Sequence, residues 1–336
     1  MFGRVLTFML PVALAACSPE SPPSPPPADT VASGLEALAA KAEPGTLGVA
    51  ILDLSTSRMR GINADQPMPM QSVFKLPLAI AVMDAADKGR LSLGHEVTLT
   101  RDQLSVAHSP IAEAFPGRTD YTIEELIRAA VAQSDNSAAD ILLKRIGGPE
   151  ALTRFFQERG IESFRVDRYE YELQPQSVGL PEFTGQWIGS DAITEAKEQL
   201  PLDRQRAALR IYLADPRDRV SPADMVNILV MLANGQLLSP ESTTKLMDIL
   251  ESTSTGTDRL KAGVPEGATV YHKTGTGASV DGVASAVNDV GIIELPDGRR
   301  LAVAAFLAGS DLSSEDRAAI IAEVARIASS KVAGEE

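Results

Sequence analysis

The chain has few residues with which to bind a metal. Its 336 residues include a single cysteine and three histidines. One cysteine cannot form an intramolecular disulfide, and it excludes sites built from several cysteine ligands. His95 and His108 lack ligand partners at the spacing of a metal-binding motif. We therefore expect no metal and no cofactor, and any chemistry must use serine, lysine, histidine and carboxylate side chains.

Positive charge is also scarce. Lys and Arg total 31 against 45 Asp and Glu, which gives a formal net charge of −14 at pH 7. A protein of this sign repels nucleic-acid phosphates, so we expect no nucleic-acid partner. Hydrophobic residues nevertheless make up 44% and charged residues 23%, as in ordinary globular proteins. A sizeable core is available, and the length suggests two domains or one large mixed one.

No apolar stretch is long enough to span a bilayer. Residues 1–16 combine a basic start with a short apolar run, which is typical of a secretory signal peptide. The four residues that end at Cys17 resemble the bacterial lipoprotein box, in which the cysteine is lipidated after cleavage. Their sequence is Leu14-Ala15-Ala16-Cys17. The alternative is ordinary cleavage after Ala15. The resemblance predicts a periplasmic protein anchored by lipid on Cys17, and Ser18 favours the outer membrane.

Residues 17–30 are rich in proline and serine, which predicts an extended tether without a core. After the tether, helical spacing at 31–42 precedes two strand patterns. Capping signals mark a series of helices in the middle of the chain, among them Thr122 with Glu125, Ser221-Pro222 and Ser239-Pro240. The predicted strands are 46–54, 59–63, 268–274, 282–295 and 299–308, and a last helix covers 313–330.

Strands at both ends with helices between them predict an α/β fold of the α+β type. An antiparallel sheet, built from both ends of the chain and flanked by helices, would carry an inserted all-helical unit. We assign residues 31–71 and 252–336 to the α/β domain and residues 72–251 to the all-helical domain. A ligand site is expected in the groove between them.

Ser72 and Lys75 have the spacing of a nucleophile and a base. The apolar stretch 76–83 that follows them places Ser72 at a helix N-terminus, with Lys75 one turn further on the same face. The positive helix end favours a developing alkoxide, and a deprotonated amine can accept the hydroxyl proton. Ser242 and Lys245 repeat the spacing, so the pair alone is a weak signal.

Two further motifs distinguish Ser72 from Ser242. Ser134-Asp135-Asn136 lies between two predicted helices, and Lys273-Thr274-Gly275 ends a predicted strand. The three motifs in this order resemble those of class A β-lactamases and penicillin-binding proteins. The structural alternative is that Ser134 only caps a helix and that Lys273 is a solubility residue on an edge strand.

The resemblance covers residues 31–330 and is strongest to class A serine β-lactamases. Arg168 and Glu170 lie in a segment that resembles the family's Ω-loop, with Glu170 at the position of the deacylating base. Gln71 and His272 resemble residues of the extended-spectrum branch. The family often has an Asp fifteen residues after the loop arginine, where Phe183 stands here. Another contact must then hold the loop, and a looser or differently folded loop would leave room for bulky substrates.

The resemblance implies a role for each polar residue. Ser72 would attack the β-lactam carbonyl, Lys75 or a water held by Glu170 would take its proton, and Ser134 would relay a proton to the ring nitrogen. Two substrate-binding positions depart from the family: Gln174 replaces an Asn, and His108 replaces an aromatic residue and is read as a wall of the site. The implied substrate-binding residues are Asn136, Lys273, Thr274, Thr276, Arg259, His108 and Gln174.

The expected activity is hydrolysis of penicillins and cephalosporins, including oxyimino-cephalosporins, through a serine acyl-enzyme that confers antibiotic resistance. One alternative is a cell-wall transpeptidase or carboxypeptidase. Glu170, two residues after Arg168, argues against this alternative. The other is a non-catalytic lipoprotein with an inactive fold, against which the complete polar set argues. We expect a monomer whose partners are the small β-lactam molecule and, through the lipid on Cys17, a membrane.

Overall fold

The computed structural model describes residues 1–3, 30–181, 183 and 192–330. Cys17 lies outside these residues, as does nearly all of the predicted signal peptide and tether. Within the described ranges, no helix is both long and apolar enough to cross a membrane.

The helices and strands of the described residues follow the order of the sequence-based prediction, with several short elements added. The helices are α1 Thr30–Ala42, α2 Lys75–Asp87, α3 Pro110–Ala114, α4 Ile123–Ala132, α5 Asn136–Arg145, α6 Pro149–Gln157, α7 Glu170–Ser177, α8 Ala192–Glu198, α9 Leu202–Ala214, α10 Pro222–Ala233, α11 Pro240–Glu251, α12 Leu260–Gly263 and α13 Ser314–Ser329. The strands are β1 Thr46–Asp53, β2 Arg58–Ile62, β3 Met68–Pro69, β4 Glu96–Thr98, β5 Asp120–Thr122, β6 Arg219–Val220, β7 Thr269–Thr276, β8 Ser279–Val280, β9 Val283–Glu294 and β10 Arg300–Ser310.

Six of the described strands form one antiparallel sheet, in the order β2-β1-β10-β9-β7 with β8 paired to β9. β1, from the start of the folded part, pairs with β10 from its end, so that Thr46 lies opposite Ala308. This arrangement confirms the predicted fold class, a sheet built from both ends of the chain and flanked by helices.

Helices cover both faces of the sheet. Alternate residues of β1 point to opposite sides, so Val49 joins the core under α1 and α13 while Ala50 joins the core under α2 and α10. β9 and β10 are buried over most of their length rather than on alternate residues, and most of β10 is apolar, because both faces of the sheet are covered.

Predicted capping signals start several of the helices. The Thr122 hydroxyl accepts a hydrogen bond from the backbone N–H of Glu125 at 3.1 Å, and the Glu125 carboxylate accepts one from the N–H of Thr122 at 2.8 Å. Ser221 and Ser239 cap α10 and α11, each with proline as the next residue. These local predictions are confirmed, because both partners of each cap lie within one turn of the same helix.

The prediction that residues 72–251 are all helical is wrong for three short strands. β4 pairs with β5, and β6 pairs with β3 from outside this range. Two or three residues per strand are too few to give a periodic pattern in the sequence. The β3–β6 pair matters for the site, because it places Asp218 beside the chain that leads to Ser72: the backbone N–H of Met70 donates to the Asp218 carbonyl at 3.1 Å.

Candidate active site

Ser72 lies in a 3₁₀ turn, Gln71–Phe74, immediately before α2. The α-helix therefore begins at Lys75, three residues later than the sequence predicts. Gln71 has a φ of 47°, in the left-handed region that a glutamine rarely adopts. Gly275 passes so close to this turn that a Cβ there would overlap the Met70 carbonyl oxygen. The glycine of the Lys-Thr-Gly motif thus lets β7 approach the serine.

Lys75 connects three parts of the site. Its side chain is fully buried, and Nζ donates to Ser72 Oγ at 3.0 Å and to the Ser134 carbonyl oxygen at 2.8 Å. Nζ also lies 3.1 Å from Glu170 Oε1 and donates to Asn136 Oδ1. α2 is buried from Lys75 to Ala85, so the amine is held on a helix that cannot shift independently of the core.

Ser134 lies between α4 and α5 and faces a second lysine. Lys273 Nζ donates to Ser134 Oγ at 3.0 Å, and its side chain is fully buried. Burial and the nearby Lys75 hold the pKa of Lys273 well below its usual value. Asp135, not Ser134, caps α5 by accepting from Ala138 N–H at 2.8 Å. Neither structural alternative, Ser134 as a cap or Lys273 as an exposed edge residue, fits these positions.

Glu170 is the first residue of α7. Its backbone is held by the carboxylate of Asp140, a residue that no sequence motif indicates. Its backbone N–H donates to Asp140 Oδ1 at 2.7 Å, and that of Tyr171 donates to Asp140 Oδ2 at 3.1 Å. Asp140 lies on α5 and is completely buried. Burial and the neighbouring Glu170 raise the pKa of Asp140 to about 7. α5 therefore fixes both Asn136 and the loop that carries Glu170.

The loop arginine, Arg168, is bridged by a carboxylate far from it in the sequence. Arg168 Nε donates to Asp218 Oδ2 at 2.6 Å, fifty positions along the chain. The same guanidinium donates to Gln176 at 3.0 Å and lies 3.4 Å from Asp215. Phe183 instead packs against Tyr171, with ring centroids 6.0 Å apart. The expectation that another contact holds Arg168 is confirmed.

Arg259 and β7 form a cluster of cations and hydroxyls. Arg259 donates to Thr276 Oγ1 at 2.7 Å and to the Asn288 carbonyl oxygen at 2.8 Å. Thr255, which the sequence does not single out, shares a hydrogen bond of 2.6 Å with Thr274. This cluster lies on the sheet side of the groove and can receive an anionic group.

His272 and Gln71 lie behind the groove. The His272 ring is fully buried, and Nδ1 lies 2.9 Å from Asp289 Oδ1. Gln71 is also buried, and it contacts Gln174 at 3.2 Å. Neither side chain lines the groove, so each can act on a substrate only through the residues it holds.

The groove has a volume of about 230 Å³. His108 forms part of its wall, and its Nε2 donates to the Gln133 carbonyl oxygen at 2.8 Å. Lys75, Glu170 and Lys273 lie buried beneath the lining. In the described part of the chain, no three His, Cys, Asp or Glu side chains are grouped to hold a metal ion. The lining residues are Ser72, Ala107, His108, Ser134, Asn136, Gln174, Thr255, Thr274 and Thr276.

The second serine–lysine pair lies elsewhere. Ser242 Oγ donates to Asp87 at 2.6 Å, and Lys245 pairs with Glu124 at 2.8 Å. Ser242 is buried. Its hydroxyl and the lysine amine are each engaged with a carboxylate, so they do not form a nucleophile–base pair.

The fold and two serine hydroxyls, each held by a buried lysine, define a serine hydrolase of the penicillin-recognising class. A family model for the β-lactamase enzyme family matches residues 30–332, and the chain belongs to this family. It has the class A β-lactamase fold, and it is a hydrolase that acts on the β-lactam amide bond.

Similar proteins agree with this assignment over most of the chain. β-Lactamase VEB-1 of Pseudomonas aeruginosa is 33% identical over 290 residues, which cover 85% of this chain and 85% of that protein. Extended-spectrum β-lactamase PER-1 of the same species is 33% identical, covering 84% and 81%. A β-lactamase structure from Chitinophaga pinensis has a TM-score of 0.74 at 31% identity, covering 89% and 98%. An ancestral class A β-lactamase structure has a TM-score of 0.72 at 34% identity, covering 89% and 98%.

Proposed function

We propose that the enzyme hydrolyses penicillins and cephalosporins, including oxyimino-cephalosporins, through an acyl-enzyme on Ser72. The observation that carries the proposal is the position of Lys75 Nζ, 3.0 Å from Ser72 Oγ and 3.1 Å from Glu170 Oε1. One buried amine thus joins a nucleophile to a carboxylate that can serve as a base in the second half of the reaction. An enzyme that opens β-lactam antibiotics confers resistance on its host.

Acylation begins when Ser72 Oγ attacks the lactam carbonyl carbon and loses its proton. Lys75 accepts this proton directly, or Glu170 accepts it through a water. The carbonyl oxygen becomes an anion, for which the backbone N–H groups of Ser72 and Thr276 are the proposed donors. Such donors contribute about 3 to 4 kcal/mol each in other acyl-transfer sites.

The lactam nitrogen needs a proton as its bond to the carbonyl carbon breaks. Ser134 relays it: its hydroxyl, which faces both the groove and Lys273 Nζ at 3.0 Å, gives its own proton to the nitrogen and is reprotonated by the proton that Ser72 lost. The substrate carboxylate is bound by Lys273, Thr274, Thr276 and Arg259. This local positive charge is needed in a protein with a net charge of −14, whose overall field repels an anionic substrate.

Deacylation requires a water activated by Glu170. One carboxylate oxygen of Glu170 lies beside Lys75 and the other accepts from Gln174 Nε2 at 2.7 Å. Asn136 keeps one amide hydrogen for the substrate's side-chain carbonyl, since Nδ2 has two hydrogens and gives one to Val106 O at 2.8 Å. The buried Glu170 distinguishes this site from that of a penicillin-binding transpeptidase.

The proposed substrate range is supported by the relative named as an extended-spectrum β-lactamase, PER-1, and by Gln71 and His272. We expect kcat/KM for cefotaxime and benzylpenicillin, measured on one preparation, to agree within about a hundredfold. This ratio corresponds to less than roughly 3 kcal/mol of lost transition-state stabilisation for the bulkier substrate. A cefotaxime value more than about ten-thousandfold lower would identify a narrow penicillinase instead.

We also propose that the enzyme works in the periplasm as a monomer anchored by lipid on Cys17. Two or three acyl chains bind a membrane firmly, since each buried methylene contributes about 0.8 kcal/mol. Wild type is expected in the membrane fraction of the host and Cys17→Ala in the soluble periplasmic fraction. Equal release of both proteins would show that Cys17 carries no anchor.

A further inference from the structure

Two amides, those of the partly exposed Gln174 and the buried Gln71, connect Glu170 to helix α9. Gln174 Nε2 donates to Glu170 Oε2 at 2.7 Å and to Gln71 Oε1 at 3.2 Å. Gln71 Nε2 donates to the hydroxyl oxygen of Tyr212 at 2.6 Å. Gln71 is 1% exposed and Tyr212 6%, so water has little access to these two side chains. No sequence motif marks Tyr212, and the steps of the proposed reaction do not use it.

The carboxylate of Glu170 sets the direction of every hydrogen bond in this series. A carboxylate only accepts, so the Gln174 atom that faces Glu170 must be the amide nitrogen. The Gln71 atom that faces this nitrogen must then be oxygen, which turns the Gln71 nitrogen towards Tyr212. The Tyr212 hydroxyl oxygen completes the chain as an acceptor. Each orientation therefore depends on the next group, and Tyr212 terminates the series.

Burial keeps the terminal group neutral. Burial raises the pKa of Tyr212, so the hydroxyl stays protonated at every pH at which the enzyme would work. The backbone supports the same arrangement from the other side, because Gln71 is held at a φ of 47° directly before Ser72. Its amide bonds Gln174 on one side and Tyr212 on the other.

We propose that Tyr212 and Gln71 are positioning residues for deacylation. They orient the amide of Gln174, and Gln174 in turn holds Oε2 of Glu170, while Lys75 lies beside Oε1. Loss of the Tyr212 hydroxyl leaves the Gln71 nitrogen buried without this acceptor. The amides are then free to turn, and the carboxylate that activates the water loses its fixed orientation. The inference rests on the proposed role of Glu170 as the deacylating base.

The test is Tyr212→Phe, which keeps the ring and removes only the hydroxyl. We expect acylation by benzylpenicillin to be unchanged and deacylation to be slower by about three- to tenfold, the range of one buried hydrogen bond. When deacylation alone slows, kcat and KM fall together and kcat/KM stays constant. The acyl-enzyme fraction at steady state, measured by intact-protein mass spectrometry, should rise accordingly.

Tyr121→Phe is the matched control, since Tyr121 is also 6% exposed but lies in β5, outside the groove, with Arg118 over its ring. It should behave as wild type. Gln71→Met should give the same fall in kcat and KM, and adding Tyr212→Phe to it should have no further effect. Thermal unfolding of each variant identifies any that fail to fold.

Two results overturn the inference and are distinguishable from each other. If Tyr212→Phe shows the kinetics of Tyr121→Phe, or loses acylation rate, while Glu170→Ala still traps the acyl-enzyme, then Glu170 is the base and Tyr212 does not position it. If Glu170→Ala turns over normally, the proposed role of Glu170 as the base is wrong, and the positioning role of Tyr212 and Gln71 is then wrong as well.

Discussion

Ser72→Ala is expected to abolish β-lactam hydrolysis, with a fall in kcat on the order of a millionfold, as for removal of the nucleophile in other serine hydrolases. The reason is geometric: Lys75 Nζ lies 3.0 Å from the Ser72 hydroxyl, which faces the groove. The measurements are nitrocefin turnover and intact-protein mass spectrometry after exposure to benzylpenicillin. The variant should show no penicilloyl adduct.

Ser242→Ala is the matched control for the loss of Ser72. Ser242 has the same spacing to a lysine, but its hydroxyl donates to Asp87 at 2.6 Å and Lys245 pairs with Glu124. Its removal should leave the activity per folded molecule unchanged, with a loss of about 1 kcal/mol of stability from the lost hydrogen bond. A penicilloyl adduct on Ser72→Ala would refute the assignment of the nucleophile.

The second large effect is expected for Glu170→Ala, which should acylate and then stall. Ser72, Lys75 and the Ser134–Lys273 pair remain in place, so the first half of the reaction can proceed. The water loses its base, and general-base catalysis contributes about a hundred- to ten-thousandfold. We expect a stoichiometric burst with nitrocefin, followed by turnover slowed by that factor, while the acyl-enzyme accumulates.

Glu172→Ala separates loss of the base from damage to the loop. Glu172 lies in the same helix, and its carboxylate accepts from the backbone N–H of Tyr169 at 2.9 Å. Its removal costs a helix cap, about 1 kcal/mol of stability, but leaves Glu170 in place. It should turn over without a burst. Normal steady-state turnover by Glu170→Ala would show that Glu170 is not the base.

The features that could be predicted from the sequence are those that depend on residues close together along the chain. Helix caps depend on partners three residues apart, as with Thr122 and Glu125, and the strand patterns of β9 and β10 are long enough to recognise. The placement of Ser72 and Lys75 on one face also follows from spacing alone. The three site motifs could be found because their order along the chain is distinctive, although their meeting in one groove is a property of the fold.

The contacts that could not be predicted join residues far apart in the sequence. Arg168 and Asp218 are fifty positions apart, and no local spacing in the sequence connects them. Asp140 and Tyr212 lie inside helices, where no sequence motif marks them. Their roles arise only where α5 and α9 meet the loop and the turn that carry Glu170 and Gln71.

Lys273 shows a different limit of sequence reasoning. A lysine near the end of a strand is usually exposed, and charged residues are common on edge strands. β7 is at the end of the sheet path, yet Lys273 is fully buried because its side chain points to Ser134 rather than to solvent. The sequence pattern predicts strand β7. Only the structure shows that the Lys273 side chain on this strand contacts Ser134.

Peptide mapping of Glu170→Ala protein after exposure to benzylpenicillin tests the central claim most directly, because this variant retains the nucleophile and should hold the covalent intermediate. The account predicts one penicilloyl group, on the peptide that contains Ser72, released far more slowly than wild type turns over. An adduct on any other peptide, or rapid hydrolysis with no adduct at all, would contradict it.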